Sequence, residues 1–181
     1  MSTQETRRPD ELAERIRDTA ARLFNSRGYG SATVDEIARA AGVGVGSLYR
    51  RWPDKPALAN DLFARIIDSL TELLAAPSVG ETPEQHFLTL SERVWRFALE
   101  HPNEFVFVEG HSHDAFLSEE NRARKAVLGQ VAAGQLVETG ITAPIELAFS
   151  MITGTIVHAI RIDVSIDTAD AGRRMWRALN E

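Results

Sequence analysis

The 181-residue sequence contains no cysteine. That excludes disulfides, thiolate metal centres and cysteine nucleophiles, and it agrees with a reducing compartment. No long apolar run is present either. The longest candidate, residues 145–160, is broken by Glu146, Ser150, Thr153, Thr155 and His158, short of the roughly 18 apolar residues that suggest a membrane span. Residues 1–9 are polar, include Arg7 and Arg8, and lack the apolar centre of a secretory signal, so a cytoplasmic location is expected. The alternation of apolar and polar residues that marks strands is missing, as are internal repeats and low-complexity tracts. There is no G-x-S-x-G elbow, no P-loop and no dinucleotide fingerprint. No catalytic residue, cofactor or metal is expected, and the chain does not read as an enzyme.

What is present is a hydrophobic fraction of 44%, enough to bury a sizeable core in a chain of this length. The net charge of −6 is unfavourable for a partner of nucleic acid, but it is unevenly distributed. Residues 1–60 carry 10 Lys+Arg against 8 Asp+Glu, whereas residues 61–181 carry 10 against 18. A slightly basic head on an acidic body is the asymmetry expected when only the head meets phosphate.

Helical periodicity runs through nearly the whole chain. In residues 10–27, Leu12, Ile16, Ala20, Leu23 and Phe24 share one face, and Gly28 suits a left-handed cap after Arg27. Thr33 and Glu36 form a capping-box pattern ahead of Val34, Ile37, Ala38 and Ala41. Gly42 ends that short helix, and residues 45–52 form another, with Leu48 and Trp52 inward. Pro53 stops it and Asp54 caps a long fourth helix with Pro56 in its first turn. Leu58, Leu62, Ile66, Leu70 and Leu73 give that helix its buried stripe. A loop at 77–83 and further helices near 84–100, 103–109, 119–138, 144–164 and 169–179 complete an all-α fold. Three parts follow: a flexible tail over 1–9, a three-helix DNA-binding unit over 10–53, and a larger helical domain over 54–181. Arg7 and Arg8 are either an arm reaching the minor groove or part of a solvated tail.

Two short helices joined by a glycine-containing turn and braced by a preceding helix form a helix-turn-helix layout. Gly42 to Gly44 supply the turn, and Ala38, Val43 and Leu48 supply the apolar wedge. Val45, Gly46 and Ser47 are small enough to let the second helix enter a major groove, with Tyr49, Arg50, Arg51 and Lys55 around that tip as phosphate partners. Tyr49 is alternatively a half-buried core ring.

The run FNSRGYGSATVDEIARAAGVGVGSLYRRWPDKPAL, residues 24–58, resembles the signature of the TetR family of transcriptional regulators. The resemblance rests on the Leu23-Phe24 pair, the Gly28-Tyr29 turn, Thr33, Ile37-Ala38, Ala41-Gly42-Val43, Leu48-Tyr49 and the closing Trp52-Pro53-Asp54-Lys55. It implies that Thr33, Tyr49, Arg51 and Lys55 contact phosphates, and that Val45, Gly46 and Ser47 face base edges with Arg50 nearby. It further implies a homodimer paired through its last two long helices, bound to a palindromic double-stranded operator and released by a small-molecule effector, usually as a repressor. The sequence departs from the pattern in having Val45 where long polar residues are common, Gly44 where serine is common, and Arg51 where histidine or an aromatic is common. Valine cannot read guanine by hydrogen bonds but can pack on a thymine methyl. Specificity is therefore expected from Ser47, Arg50 or DNA shape.

In the C-terminal part, residues 145–166 are apolar on more than one face, with Ser150 and Gly154 allowing close helix approach, and the last helix adds Met175, Trp176 and Leu179. An effector cavity needs apolar walls and a few polar groups. Trp95, Phe105, Phe116, Phe149, Thr153 and His158 are the candidates, each alternatively plain core. His111, His113 and Asp114 contain metal-ligand chemistry but fall in a short inter-helix loop, where such residues are commonly solvated.

Overall fold

The computed structural model describes residues 3–77, 82–110, 113 and 115–181, with side chains from Glu11 onward. Within them the chain forms nine helices and no strand: α1 (Thr3–Arg27), α2 (Val34–Ala40), α3 (Val45–Tyr49), α4 (Lys55–Ala75), α5 (Pro83–Glu100), α6 (Pro102–Glu109), α7 (Glu119–Glu138), α8 (Ile145–Arg161) and α9 (Thr168–Ala178). Helix α1 begins at Thr3, so residues 3–9 extend the helix where a flexible tail was expected. Gln4, Glu5, Arg7 and Arg8 are all good helix formers, which favours the extension.

The punctuation follows local chemistry. Gly28 at φ +79° and Gly42 at φ +67° adopt the left-handed conformation that closes α1 and α2. Around α2 the capping box closes fully: Glu36 N–H donates to Thr33 Oγ1 at 3.3 Å, and Thr33 N–H donates to a Glu36 carboxylate oxygen at 3.1 Å. Asp54 Oδ1 accepts from Ala57 N–H at 2.7 Å to start α4, and Ser118 and Asp167 cap α7 and α9 in the same way. A second capping box, Thr82 with Gln85, starts α5. Helix α3 is shorter than the expected 45–52, and α8 stops at Arg161, followed by Asp163 at φ +52°.

One continuous core runs from the first three helices into the remaining six. Phe24, Phe63, Phe87, Trp95, Phe105 and Phe107 are its largest fully buried side chains. Helices α4 and α7 form the most extensive helix pair, while α6 lies against α1, and α9 covers α5. Leu58, Leu62, Ile66 and Leu70 of α4 are buried as expected, whereas Leu73 is half-buried and Leu74 takes the inward place. The apolar side of α9 is consumed internally: Met175 and Leu179 are buried and Trp176 packs on Phe87 with ring centroids 5.5 Å apart.

Candidate nucleic-acid interface

The α2–α3 pair is built as a bihelical wedge. Ile37, Ala38 and Leu48 are fully buried between the two helices and α1, and Val43 N–H closes the turn on the Ala38 carbonyl at 2.9 Å. Trp52, just beyond α3, is buried and anchors the segment leading into α4. With its inner side fixed, α3 turns a sparsely furnished outer side to solvent. Gly46 and Arg50 are exposed, Val45 and Ser47 are half-buried, and Tyr49 is 47% exposed, so its ring belongs to the surface and not to the core. The Arg50 guanidinium folds back toward the start of α3 and donates to Ser47 Oγ at 2.7 Å. Arg51 is exposed, with its guanidinium 5.7 Å from the Trp52 ring centroid. Thr33 is exposed at the N-terminus of α2. Its hydroxyl also donates to Glu36, which ion-pairs with Arg27 at 2.6 Å. The Thr33 backbone and hydroxyl, then Arg27, hold the Glu36 carboxyl below its ordinary value.

Lys55 differs from the rest of the set. Its ammonium donates to the carbonyls of Tyr29, Gly30 and Ala32 at 2.8, 3.2 and 3.0 Å and stands 4.5 Å from the Tyr29 ring centroid. Three donors meet three acceptors, so Lys55 clamps the turn that leads into Thr33.

Two polar joints that the sequence reading missed hold the start of α4, one to the head and one to the loop and helix that pack beside it. In the first, Asp61 Oδ2 of α4 accepts from Arg17 Nε of α1 at 2.7 Å and from the Trp52 indole N–H at 2.9 Å. Arg17 is only 6% exposed. It also pairs with Glu14 at 3.2 Å, and Glu14 pairs in turn with Arg65 of α4. In the second, the Asn60 amide donates to the Phe116 carbonyl at 2.8 Å and its oxygen accepts from Ser118 N–H at 2.8 Å. Buried Asn121 of α7 donates to both the Asn60 carbonyl and its side-chain oxygen, at 2.8 and 2.9 Å. Aromatic rings run alongside: Tyr29 lies on Phe116 with centroids 4.4 Å apart, and Phe116 stacks on Phe107 at 5.8 Å. His113 is buried against Phe63, Phe107 and Phe116, its Nε2 hydrogen-bonded to the Phe107 carbonyl at 2.7 Å. It is thus packed where a solvated loop residue was expected; His111 and Asp114 lie outside the described residues.

The body contains a cavity of about 30 Å³ among α4, α5, α7 and α8, walled by Leu74, Leu90, Val94, Leu136, Phe149 and Thr153 among others. Of the six effector candidates, Phe149 and Thr153 line it. Trp95 and Phe105 are buried in the core, Phe116 sits at the joint with the head, and His158 is exposed on the outer side of α8. Elsewhere on α5, Ser91 Oγ and Trp95 Nε1 are buried without a hydrogen-bond partner among the described residues, and His86 Nε2 meets Gln135 Oε1 of the cavity wall at 3.1 Å.

A capped helix-turn-helix with an outward recognition helix, held on a larger all-helical body, defines a DNA-binding regulator of the helix-turn-helix class. Residues 16–62 match the family model for bacterial regulatory proteins of the tetR family. The chain is 27% identical over 156 residues to an uncharacterized HTH-type transcriptional regulator, YdeS of Bacillus subtilis, covering 81% of this chain and 77% of that protein. It is 35% identical over 81 residues to the HTH-type transcriptional regulator AcrR of Shigella flexneri, covering 45% of this chain and 34% of AcrR. The structure of a TetR-family regulator from Marinobacter aquaeolei superposes with a TM-score of 0.75 at 22% identity, over 97% of this chain and 99% of that one, which extends the shared fold across the body. Residues 16–62 thus carry a DNA-binding region of the tetR-family type, and the chain as a whole shares the fold of TetR-family regulators.

Proposed function

We propose that this regulator is a cytoplasmic homodimeric repressor that holds a palindromic operator and lets it go when a small apolar effector opens the cavity among α4, α5, α7 and α8. The observation that carries this reading is the rigid connection between an exposed recognition helix and that cavity. Helix α4 takes part in both: Asn60 and Asp61 tie its start to head and loop, and Leu74 near its end walls the cavity. Residues 10–53 are the DNA-binding unit and 54–181 the effector and dimerisation unit. In this reading Thr33, Tyr49 and Arg51 meet phosphates, Val45, Gly46, Ser47 and Arg50 face base edges, and Lys55 acts through the turn it clamps.

A cavity of about 30 Å³ holds little more than one water, whereas small-molecule sites span roughly 300–1,000 Å³. Binding must therefore separate α7 from α4 and α5. Helix α7 is fastened to α4 by the Asn60–Asn121 contacts and by Arg124, whose guanidinium bonds both Asp68 oxygens at 2.9 and 2.7 Å. Displacement of α7 thus reaches Ser118, Phe116 and Tyr29, and through Tyr29 and Lys55 the start of α2. Rotating the two heads away from the roughly 34 Å spacing of successive major grooves releases DNA, and by linkage DNA weakens effector binding to the same extent.

Dimerisation through α8 is supported by its outer side, where Leu147, Ser150, Gly154 and His158 are exposed at helical spacing and the small residues allow close approach of a second helix. Exposed Ile162 and Val164 continue that side beyond the end of α8. Because α9 spends its apolar stripe on α5, its contribution comes from the outward Arg173, Arg174 and Arg177.

Selection of a randomised duplex library on the purified protein, at fixed moderate salt, tests the reading. An inverted repeat is expected, followed by its release on adding members of a panel of uncharged alkyl and aryl compounds. Ala132→Trp, far too large for the cavity, is expected to wedge α7 outward and to weaken operator binding without any effector. Enrichment of unpaired half-sites only, or full operator affinity in a folded Ala132→Trp, refutes this proposal.

A further inference from the structure

Helix α3 carries few groups able to read a base by hydrogen bonding. Val45 offers none, Gly46 has no side chain, and Ser47 has its hydroxyl engaged as an acceptor. Tyr49 presents a single phenol. Arg50 alone offers a planar fork of donors, and that fork has a fixed direction. Its Nη2 donates to Ser47 Oγ at 2.7 Å, three residues back, and its Nη1 lies 3.9 Å from where a Cβ on Gly46 would stand, four residues back. The guanidinium is therefore laid along the helix toward its N-terminus, the end that enters a major groove first. Among the described residues, the remaining donors on Nη1 and Nε have no partner in the chain.

We propose that Arg50, aimed by Ser47, reads a guanine at one fixed position in each operator half-site. The inference rests on the operator-binding reading above and sharpens it to one residue and one base. A guanidinium presents two parallel N–H donors that match guanine O6 and N7, a geometry a lysine ammonium cannot reproduce. Ser47 is a positioning residue: it removes rotamer freedom from Arg50 before DNA arrives, so less ordering is required on binding. A Cβ on Gly46 would stand 3.9 Å from Nη1, an ordinary contact, so Gly46 marks where the fork lies without being required for it.

The test compares wild type, Arg50→Lys and Ser47→Ala in the same duplex selection, followed by titrations on the selected duplex carrying 7-deazaguanine at each guanine in turn. Wild type is expected to fix one guanine per half-site and to lose roughly 5- to 150-fold in affinity when that guanine lacks N7. Arg50→Lys keeps its charge, so its binding to an unrelated duplex should match wild type while its preference at that single position disappears. Ser47→Ala should lose part of the preference at the same position with an unchanged melting temperature, a pattern that a purely structural role would not produce. Retention of the wild-type preference by Arg50→Lys at every position, or indifference of the wild type to 7-deazaguanine everywhere, overturns the assignment of Arg50. If the wild type binds DNA but enriches no sequence, the operator reading fails and this inference falls with it. That result is distinct from a changed preference confined to the variants.

Discussion

Removal of the Asp61 carboxylate is the sharpest probe of how the reading head is held. Its Oδ2 accepts a charge-assisted hydrogen bond from Arg17 at 2.7 Å and a neutral one from the Trp52 indole at 2.9 Å. A hydrogen bond to a charged group contributes about 1.5–3 kcal/mol, and leaving a buried N–H unpaired costs about 1–3 kcal/mol. The Asp61 side chain is 36% exposed while that of Arg17 is 7% exposed, so water can replace the carboxylate on one side only. The net loss for Asp61→Ala is then about 2–4 kcal/mol, a large part of the roughly 5–15 kcal/mol that stabilises a typical fold. For a chain of this length it lowers Tm by roughly 5–15 °C. Asp61→Asn keeps an oxygen at the Oδ2 position for both donors and loses only the charge, and it should cost about half as much.

The assay is thermal and urea unfolding at one protomer concentration, since association shifts apparent stability, completed as a double-mutant cycle with Arg17→Met. A coupling of about 1.5–3 kcal/mol between positions 17 and 61 is expected. Because Trp52 follows α3 directly, Asp61→Ala should also weaken DNA binding at temperatures well below its melting point. A coupling under about 0.5 kcal/mol, or full DNA affinity in a variant destabilised as calculated, would refute the claim that this joint positions the recognition helix.

Four further substitutions have defined outcomes. Burial pushes the Glu109 carboxyl above its ordinary value, with Lys125 opposing; the protonated form is therefore favoured by folding. Its contribution is present below the unfolded carboxyl value and lost as pH rises through the higher folded one. Glu109→Gln should accordingly raise Tm at pH 8 and not at pH 4 in a fluorimetric melt, and a pH-independent gain would contradict this. A Cβ on Gly110 would stand 2.6 Å from the Val106 carbonyl oxygen and 2.8 Å from the Arg161 guanidinium that bonds the Gly110 carbonyl. Gly110→Ala should thus destabilise by about 1–3 kcal/mol in urea unfolding, and an unchanged midpoint would show that α6 and α8 can part freely. Finally, Arg51→Met should flatten the logarithmic salt dependence of DNA affinity by about 0.9. Lys55→Met should lower affinity and Tm while leaving that slope unchanged, because its ammonium is spent on three carbonyls; a flatter slope would restore Lys55 as a phosphate contact.

The features legible in the sequence were those whose cause lies within one helical turn. Thr33 with Glu36, Asp54 with Ala57, and Gly28 at the end of α1 each satisfy or terminate a backbone only a few residues away, so the pattern of residue types carries the geometry. Gln85 was equally local, but its partner Thr82 fell inside an assumed loop. The bond from Arg17 to Asp61 spans 44 residues, that from Asn60 to Phe116 spans 56, and that from Asn25 to Asn103 spans 78. Polar residues on amphipathic helices are by default read as solvent-facing, and nothing beside them names a distant partner. One signal was present: Arg17 falls in the same stripe as Ala13, Ile16, Ala20 and Phe24, all of which are buried, and a cation at a core position requires an anion.

The effector candidates divided for a related reason. Composition can identify an aromatic or a lone histidine in apolar company, but only the side of the helix decides its role. His158 shares its side of α8 with Leu147, Ser150 and Gly154, all exposed, whereas Ile152, Ile156 and Ala159 turn inward, and Phe149 with Thr153 faces the cavity. Phe116 is displaced further still. Its ring meets Tyr29 because Asn60 holds the backbone at Phe116 and Ser118, so an aromatic that looks like cavity wall is instead a contact between body and head. Replacing Asn60 therefore bears on body and head at once: without its amide, the loop that carries Phe116 loses its tie to α4, and the Tyr29 turn ahead of Thr33 loses the surface against which it is set.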